Sequence, residues 1–285
     1  MSEREGRGVA WTEERQARNE RGRDEGRQRL EAARERAGET GRATEAGPLR
    51  REAVPAAFDV GASAYDRLVG ANPGYHEHLR LSAQRMRLPD GGRGLRLLDA
   101  GCGTGASTAA LLAVAPHAEI VAIDASGEML AQARAKPWPS SVRFVHSRVE
   151  DLAAAGVHGP FDGILAAYLI RNLPDPDGQL RGLRDLLRPG GTLAVHEYSV
   201  RDSLRARATW DLVAWSVIIP FGRVATGDAT LYRYLWRSVD GFDGVRRFRR
   251  RLSEAGFTGV HSETMTGWQR GVVHTFLATR PETPA

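Results

Sequence analysis

One passage limits the fold more than any other. The β-rich run Leu97-Leu98-Asp99-Ala100 passes directly into Gly101-Cys102-Gly103-Thr104-Gly105 and then into a helix-forming stretch. Glycines at a strand-to-helix junction permit a tight turn and let a ligand approach the backbone, because no Cβ stands in the way. Around this junction short β-rich runs alternate with helical ones, the pattern of a parallel sheet covered by helices. Candidate strands are Leu95 to Asp99, Glu119 to Asp124, Val142 to His146, Phe161 to Ala167, Thr192 to Tyr198, Thr258 to Thr264 and Val272 to Ala278. Candidate helices are Ser107 to Val114, Glu128 to Ala135 and Asp177 to Leu187, the last followed by a Pro189-Gly190-Gly191 turn.

The expectation is an α/β fold: a Rossmann-like, seven-stranded, mostly parallel sheet with helices on both faces and a C-terminal antiparallel strand pair. Two acids narrow the ligand. Glycine spacing alone leaves NAD open, but Asp99 beside the loop would repel a pyrophosphate and attract an amine-bearing ligand. Asp124, at the end of the next candidate strand, is placed to accept both hydroxyl hydrogens of a ribose. Together the acids fit S-adenosylmethionine, with Asp99 near its amino-acid end. Ordinary strand-end aspartates are the plainer reading of the same residues.

Composition closes off other classes. With 285 residues and 41% hydrophobic content the chain can bury a sizeable core, which excludes a wholly disordered or fibrous protein. The longest apolar stretch, Leu212 to Phe221, is far below the ~20 residues of a spanning helix, and no signal-peptide core is visible, so a cytoplasmic protein is expected. The single cysteine, Cys102, excludes an internal disulfide or a thiolate metal cluster, and no metal site is expected. A net charge of +5 is carried almost wholly by arginine, with Lys136 the only lysine, and no nucleic-acid-binding pattern accompanies it.

Residues 1–53 differ in kind from the rest: they are crowded with arginines and acids and have very few large apolar side chains, so a disordered charged tail is expected ahead of a domain at 54–285. A misassigned start or a partner-binding tail are the alternatives.

The strand–glycine–helix passage and its two acids resemble those of class I S-adenosylmethionine-dependent methyltransferases, over about Ala57 to Arg280. The resemblance implies that Asp99, Gly101, Gly103 and Thr104 cradle the methionine part of the cofactor. It places Asp124 at the ribose and the adenine near Val149 and Glu150, with Ala125, Met129 and Ala167 as further cofactor contacts. Arg148 stands where the family usually has Asp or Asn. Within the class, Tyr168-Leu169-Ile170-Arg171-Asn172-Leu173, Tyr232-Arg233-Tyr234-Leu235 and the lid motif Ala64-Tyr65-Asp66 are similar to the ubiquinone and menaquinone C-methyltransferases. The runs Asp240 to Val245 and Trp268 to His274 depart from that subfamily where a substrate pocket would close.

By that resemblance Arg171 and Asn172 orient or polarise an acceptor oxygen and Tyr65 closes the site. His196 or a water takes the proton, since arginine is charged at neutral pH. A structural ion pair for Arg171, a satisfied core position for His196 and a helix cap for Glu197 are the plainer readings. The implied activity is methyl transfer to a small lipophilic aromatic or quinol-like acceptor at carbon, in quinone biosynthesis. O- or N-methylation of a natural product and a non-catalytic binding protein are the rivals. Trp210 to Phe221 suits a greasy pocket, a membrane-facing lip or a core helix ending near Pro220. Arg246, Arg247, Arg249, Arg250 and Arg251 suit either lipid headgroups or a solvated face, so contact with a membrane surface stays open.

Overall fold

The computed structural model describes Ala56, Asp59 and residues 74–227 and 229–282. The expected tail at 1–53 and the lid residue Tyr65 lie outside the described residues. Seven strands form one sheet in the order β3-β2-β1-β4-β5-β7-β6, comprising β1 (Arg96–Ala100), β2 (Glu119–Asp124), β3 (Val142–His146), β4 (Phe161–Ala167), β5 (Leu187–Tyr198), β6 (Thr258–Thr264) and β7 (Val273–Thr279). The first five run parallel, whereas β7 is antiparallel to both β5 and β6. The expected sheet and its terminal antiparallel pair are therefore present.

Alternation along each buried strand supplies two hydrophobic layers. Leu98, Val121, Ile164 and Val195 face one way, onto the helices α4 (Pro176–Leu186) and α8 (Val245–Glu254). Their neighbours Leu97, Ile120, Leu165 and Ala194 face α1 (Tyr75–Arg85) and α2 (Ala106–Val114). The helix α3 (Gly127–Arg134) follows β2 and is capped by the Ser126 hydroxyl, which accepts from Met129 N at 3.1 Å. Asp175 caps α4 in the same way, accepting from Gly178 N at 2.9 Å.

Two expectations are corrected here. The Pro189-Gly190-Gly191 segment is no turn ahead of a strand: β5 already pairs with β4 at Leu187, and the pairing shifts register between Phe161 and Gly163. A bulge, with Gly190 at φ 75°, absorbs the Pro-Gly-Gly unit inside the strand. Pro220 likewise does not end its helix. The chain runs from α5 (Leu204–Val213) through a π-turn at Ala214–Ile218 into α6 (Ile219–Thr226), with Pro220 near the start of α6. The wider π-turn accommodates a residue that lacks the N–H an α-helix would use. The helix α7 (Thr230–Gly241) then returns to the sheet.

Candidate active site

Strand order reverses direction between β1 and β4, and in sheets of this kind the crevice beyond the strand C-termini at that point is where ligands bind. One cavity opens there, lined by the segments that leave β1, β2, β3 and β4. Gly101, Gly103, Thr104, Asp124, Ala125, Met129, Val149, Glu150, Ala167, Arg171 and Asn172 all line it, so the sheet brings together nearly all of the residues singled out from sequence.

The glycine loop is tied down from both sides. Gly101 N and Cys102 N donate to Ile123 O at 2.9 and 2.8 Å, and the Lys136 ammonium donates to Thr104 O at 2.8 Å. Gly103 sits at φ 54°, and among the described residues a Cβ there would meet nothing within 4 Å. Gly105 is glycine for another reason: at φ 92° a Cβ would come within 2.8 Å of the Trp138 ring.

Asp124 links the loop to the next turn. Its carboxylate accepts from Gly103 N and from Ser126 N, both at 2.8 Å, and burial raises its pKa against these backbone bonds. Asp59 adds a second carboxylate, bonded to the Ser126 hydroxyl at 2.5 Å and Glu128 N at 3.3 Å.

Two predicted residues lie behind the wall. Asp99 is fully buried and off the cavity; one of its oxygens accepts from Ser107 Oγ at 2.8 Å and Thr108 Oγ1 at 2.6 Å, while the other has no partner among the described residues. Burial is the main cause that lifts its pKa to about 7, with the two hydroxyls opposing the rise. Asp99 thus braces the loop and the start of α2 from behind the cavity wall. His196 is also fully buried and has no surface on the cavity, which corrects its expected role as direct proton acceptor. Burial, followed by the nearby His78 and arginine charges, drives its pKa down to about 3, so it is neutral.

Arg171 forms an ion pair with Glu197 at 2.6 Å, both side chains being almost wholly buried. Its guanidinium also donates to Tyr168 O at 3.0 Å and lies 5.5 and 5.6 Å from the Tyr168 and Tyr198 ring centres. Glu197 caps no helix; it accepts from Arg171 and from Tyr198 N at 2.9 Å. The Asn172 amide donates to Tyr168 O at 2.9 Å and accepts from the Tyr234 hydroxyl at 3.1 Å. It ties α7 to the cavity wall.

Sequence reasoning missed Tyr168. It lines the cavity at φ 55°, an uncommon backbone for a bulky residue, and its ring stacks on Tyr75 at 6.0 Å between centres. The available signal was an aromatic residue immediately beyond a buried strand at the switch point.

The sequence profile of the ubiE/COQ5 methyltransferase family matches residues 48–280. The chain is 35% identical over 184 residues to the ubiquinone/menaquinone biosynthesis C-methyltransferase UbiE of Bradyrhizobium diazoefficiens, covering 63% of this chain and 72% of that protein. It is 30% identical over 230 residues to the demethylmenaquinone methyltransferase of Clavibacter sepedonicus, covering 80% of this chain and 90% of that one. Among solved structures, magnesium protoporphyrin IX methyltransferase from Synechocystis PCC 6803 with bound S-adenosylmethionine matches with a TM-score of 0.56 at 14% identity, covering 83% of this chain and 100% of that chain. At that identity the likeness concerns the fold.

Proposed function

Because the chain belongs to the ubiE/COQ5 methyltransferase family, an S-adenosylmethionine-dependent one, we propose that it moves the methyl group to a ring carbon of a lipophilic quinol. The observation that carries this reading is one continuous cavity in which the open glycine backbone and Asp124 adjoin an aromatic wall of Tyr75 and Tyr168 beside Arg171 and Asn172.

The residues present fit the cofactor. Asp124 offers a carboxylate to ribose hydroxyls, and no described residue would crowd a Cβ at Gly103, so a ligand can lie against its backbone. Bound S-adenosylmethionine supplies a methyl already activated on sulfonium, so the protein has to align an acceptor atom and favour loss of its proton. Arg171 serves the second need: fixed by Glu197, its charge favours the ionised form of a nearby ring hydroxyl and so raises electron density at the ortho carbon. It acts as a fixed charge and not as a base. Tyr75 and Tyr168 present flat apolar faces to a ring.

A lipophilic acceptor resides in a bilayer, and the α5–α6 segment suits access to one. Leu204, Leu212, Trp215, Val217 and Val224 expose most or half of their surface, and Arg201, Arg205 and Arg223 on the same stretch of chain are exposed too. Exposed apolar side chains and cations on one segment match an anionic lipid surface. Among the described residues no helix is long and apolar enough to cross a membrane. The basic face of α8 is a weaker candidate, since Arg251 and Arg247 pair with Asp243 at 2.6 and 2.8 Å and Arg249 donates to Val260 O at 3.1 Å.

The test is product analysis after incubation with S-adenosylmethionine and a prenylated 1,4-naphthohydroquinone. A new C-methyl NMR signal on a product stable to acid supports the reading, and an O-methyl ether or unchanged quinol overturns it.

A further inference from the structure

A chain of hydrogen bonds runs from the protein edge to the cavity wall. Arg85 Nη1 donates to Thr275 Oγ1 at 2.8 Å, Thr275 Oγ1 meets Ser82 Oγ at 2.7 Å, Ser82 Oγ meets His196 Nδ1 at 2.7 Å, and His196 Nε2 meets the Tyr168 hydroxyl at 2.9 Å. Ser82, Thr275 and His196 are fully buried, and Arg85 pairs with the half-exposed Glu263 at 3.1 Å.

The cation at the far end favours one direction. Arginine can only donate, so Thr275 Oγ1 accepts there, and the adjacent charge makes the Thr275 hydroxyl the better donor of the two hydroxyls, although either can donate between Thr275 and Ser82. With Thr275 donating to Ser82, Ser82 donates to His196 Nδ1. A neutral imidazole whose Nδ1 accepts carries its proton on Nε2, and that N–H faces the Tyr168 oxygen. A histidine that donates to the phenol oxygen makes the phenol a stronger donor in turn, and directs the hydroxyl's own hydrogen away from His196.

We propose that Tyr168 is the hydrogen-bond donor that fixes a ring oxygen of the acceptor in the cavity, with His196 and Ser82 as positioning residues that hold its hydroxyl in that role. Other contacts keep Tyr168 in place. Its backbone N–H donates to His196 O at 2.8 Å, and the His196 ring meets its ring edge-on at 4.7 Å. The left-handed backbone at φ 55° is thus held by bonds on both sides of the residue, and a swing of the ring would break the bond between its hydroxyl and His196 Nε2. The buried His196 found no use as a base; here it acts through Tyr168. The inference rests on the aromatic-acceptor reading above.

Two measurements on the full chain test it. In the first, 15N-histidine NMR of the unliganded protein, with His196 signals identified by their loss in His196→Gln, reads the tautomer. A proton on Nε2 in the wild type, with the population shifted toward Nδ1 in Ser82→Ala, is expected; a proton on Nδ1 in the wild type overturns the proposal. The second is calorimetry with S-adenosylhomocysteine present, comparing 1-naphthol with naphthalene as probes. Tyr168→Phe is expected to weaken 1-naphthol about five- to tenfold and to leave naphthalene within about twofold. Equal losses for both probes, or no loss for either, overturn the donor role alone. Failure of both probes to bind the wild type overturns the aromatic-acceptor reading and this inference with it.

Discussion

Arg171 and Glu197 meet at 2.6 Å across a separation of 26 residues, one from the turn after β4 and the other from the end of β5. Both are withdrawn from water, so neither charge is tolerable without the other. Burial pushes the Glu197 pKa up, and the Arg171 guanidinium opposes the rise. Removing one partner of such a pair costs about 3–5 kcal/mol. Glu197→Ala is expected to lose that much stability in urea denaturation, with cofactor turnover falling as Arg171 leaves its place. A loss below about 1 kcal/mol would show that the pair is solvated in solution.

Asp124→Ala is expected to weaken S-adenosylhomocysteine binding by about 1–3 kcal/mol, since the proposed ribose site loses its buried charged acceptor. Its carboxylate also holds Gly103 N and Ser126 N, so the loop loosens too. Asp124→Asn separates the two effects, because the amide oxygen can keep one backbone bond while the charge is gone. Calorimetry showing unchanged affinity in both variants would remove Asp124 from the ribose site.

How far these residues were legible in sequence depends on how local their cause is. The glycine loop and Asp124 follow from a strand feeding a turn, and four strand boundaries, those of β2, β3, β4 and β6, match the hydrophobic pattern residue for residue. The burial of Asp99 and His196 was not legible, because pattern reading places a side chain at a strand end without telling which face it takes. Asp99 turns to Ser107 and Thr108, eight and nine residues on, and His196 to Ser82, 114 residues away. Tyr168's role was harder to read for the same reason: its position just beyond a strand is visible, but its partners come from α1, β5 and the turn it begins.

Gly105→Ala separates backbone strain from steric fit. The left-handed backbone costs an L-residue about 1–2 kcal/mol. The added methyl also meets Trp138, whose ring is held by Nε1 donating to Ala133 O at 2.7 Å. The variant is expected to lose stability beyond the backbone term and to bind S-adenosylhomocysteine more weakly. In Gly105→Ala/Trp138→Leu the clash is relieved, so the double-variant loss should fall short of the sum of the singles. Strict additivity in thermal or urea denaturation would show that the ring already moves aside.

Acid stability carries a sign fixed by His196. Its pKa falls from 6.5 to about 3 on folding, so the unfolded chain takes up a proton below about pH 6.5 that the folded chain refuses. Its contribution is present above pH 6.5 and is lost as pH falls toward 3; His274, lowered to about 4, has the same sign. Asp99 works the opposite way, since a carboxyl raised to about 7 favours the folded state at low pH and loses that contribution as pH rises through 7. The stability difference between wild type and His196→Gln should therefore shrink between about pH 7 and about pH 4 in urea titrations. A constant or growing difference would mean that His196 is charged in the folded protein.

The exposed side chains of the α5–α6 segment provide the remaining test, because their burial is so small. Trp215 and Val217 are 51% and 54% exposed, so serine at both positions removes little packing, although Trp215 touches Trp236 edge-on at 5.3 Å between centres. Melting temperature should shift by only a few degrees. Binding to vesicles of phosphatidylglycerol and phosphatidylcholine should respond far more. Each apolar side chain lost from the interface weakens partitioning, and the arginines make binding fall with added salt. Sedimentation with vesicles is expected to retain the wild type at low salt and to lose most of the double variant. Retention of the variant equal to wild type would exclude this face as the membrane contact, while retention of neither would mean that the acceptor reaches the cavity without docking of the protein on lipid.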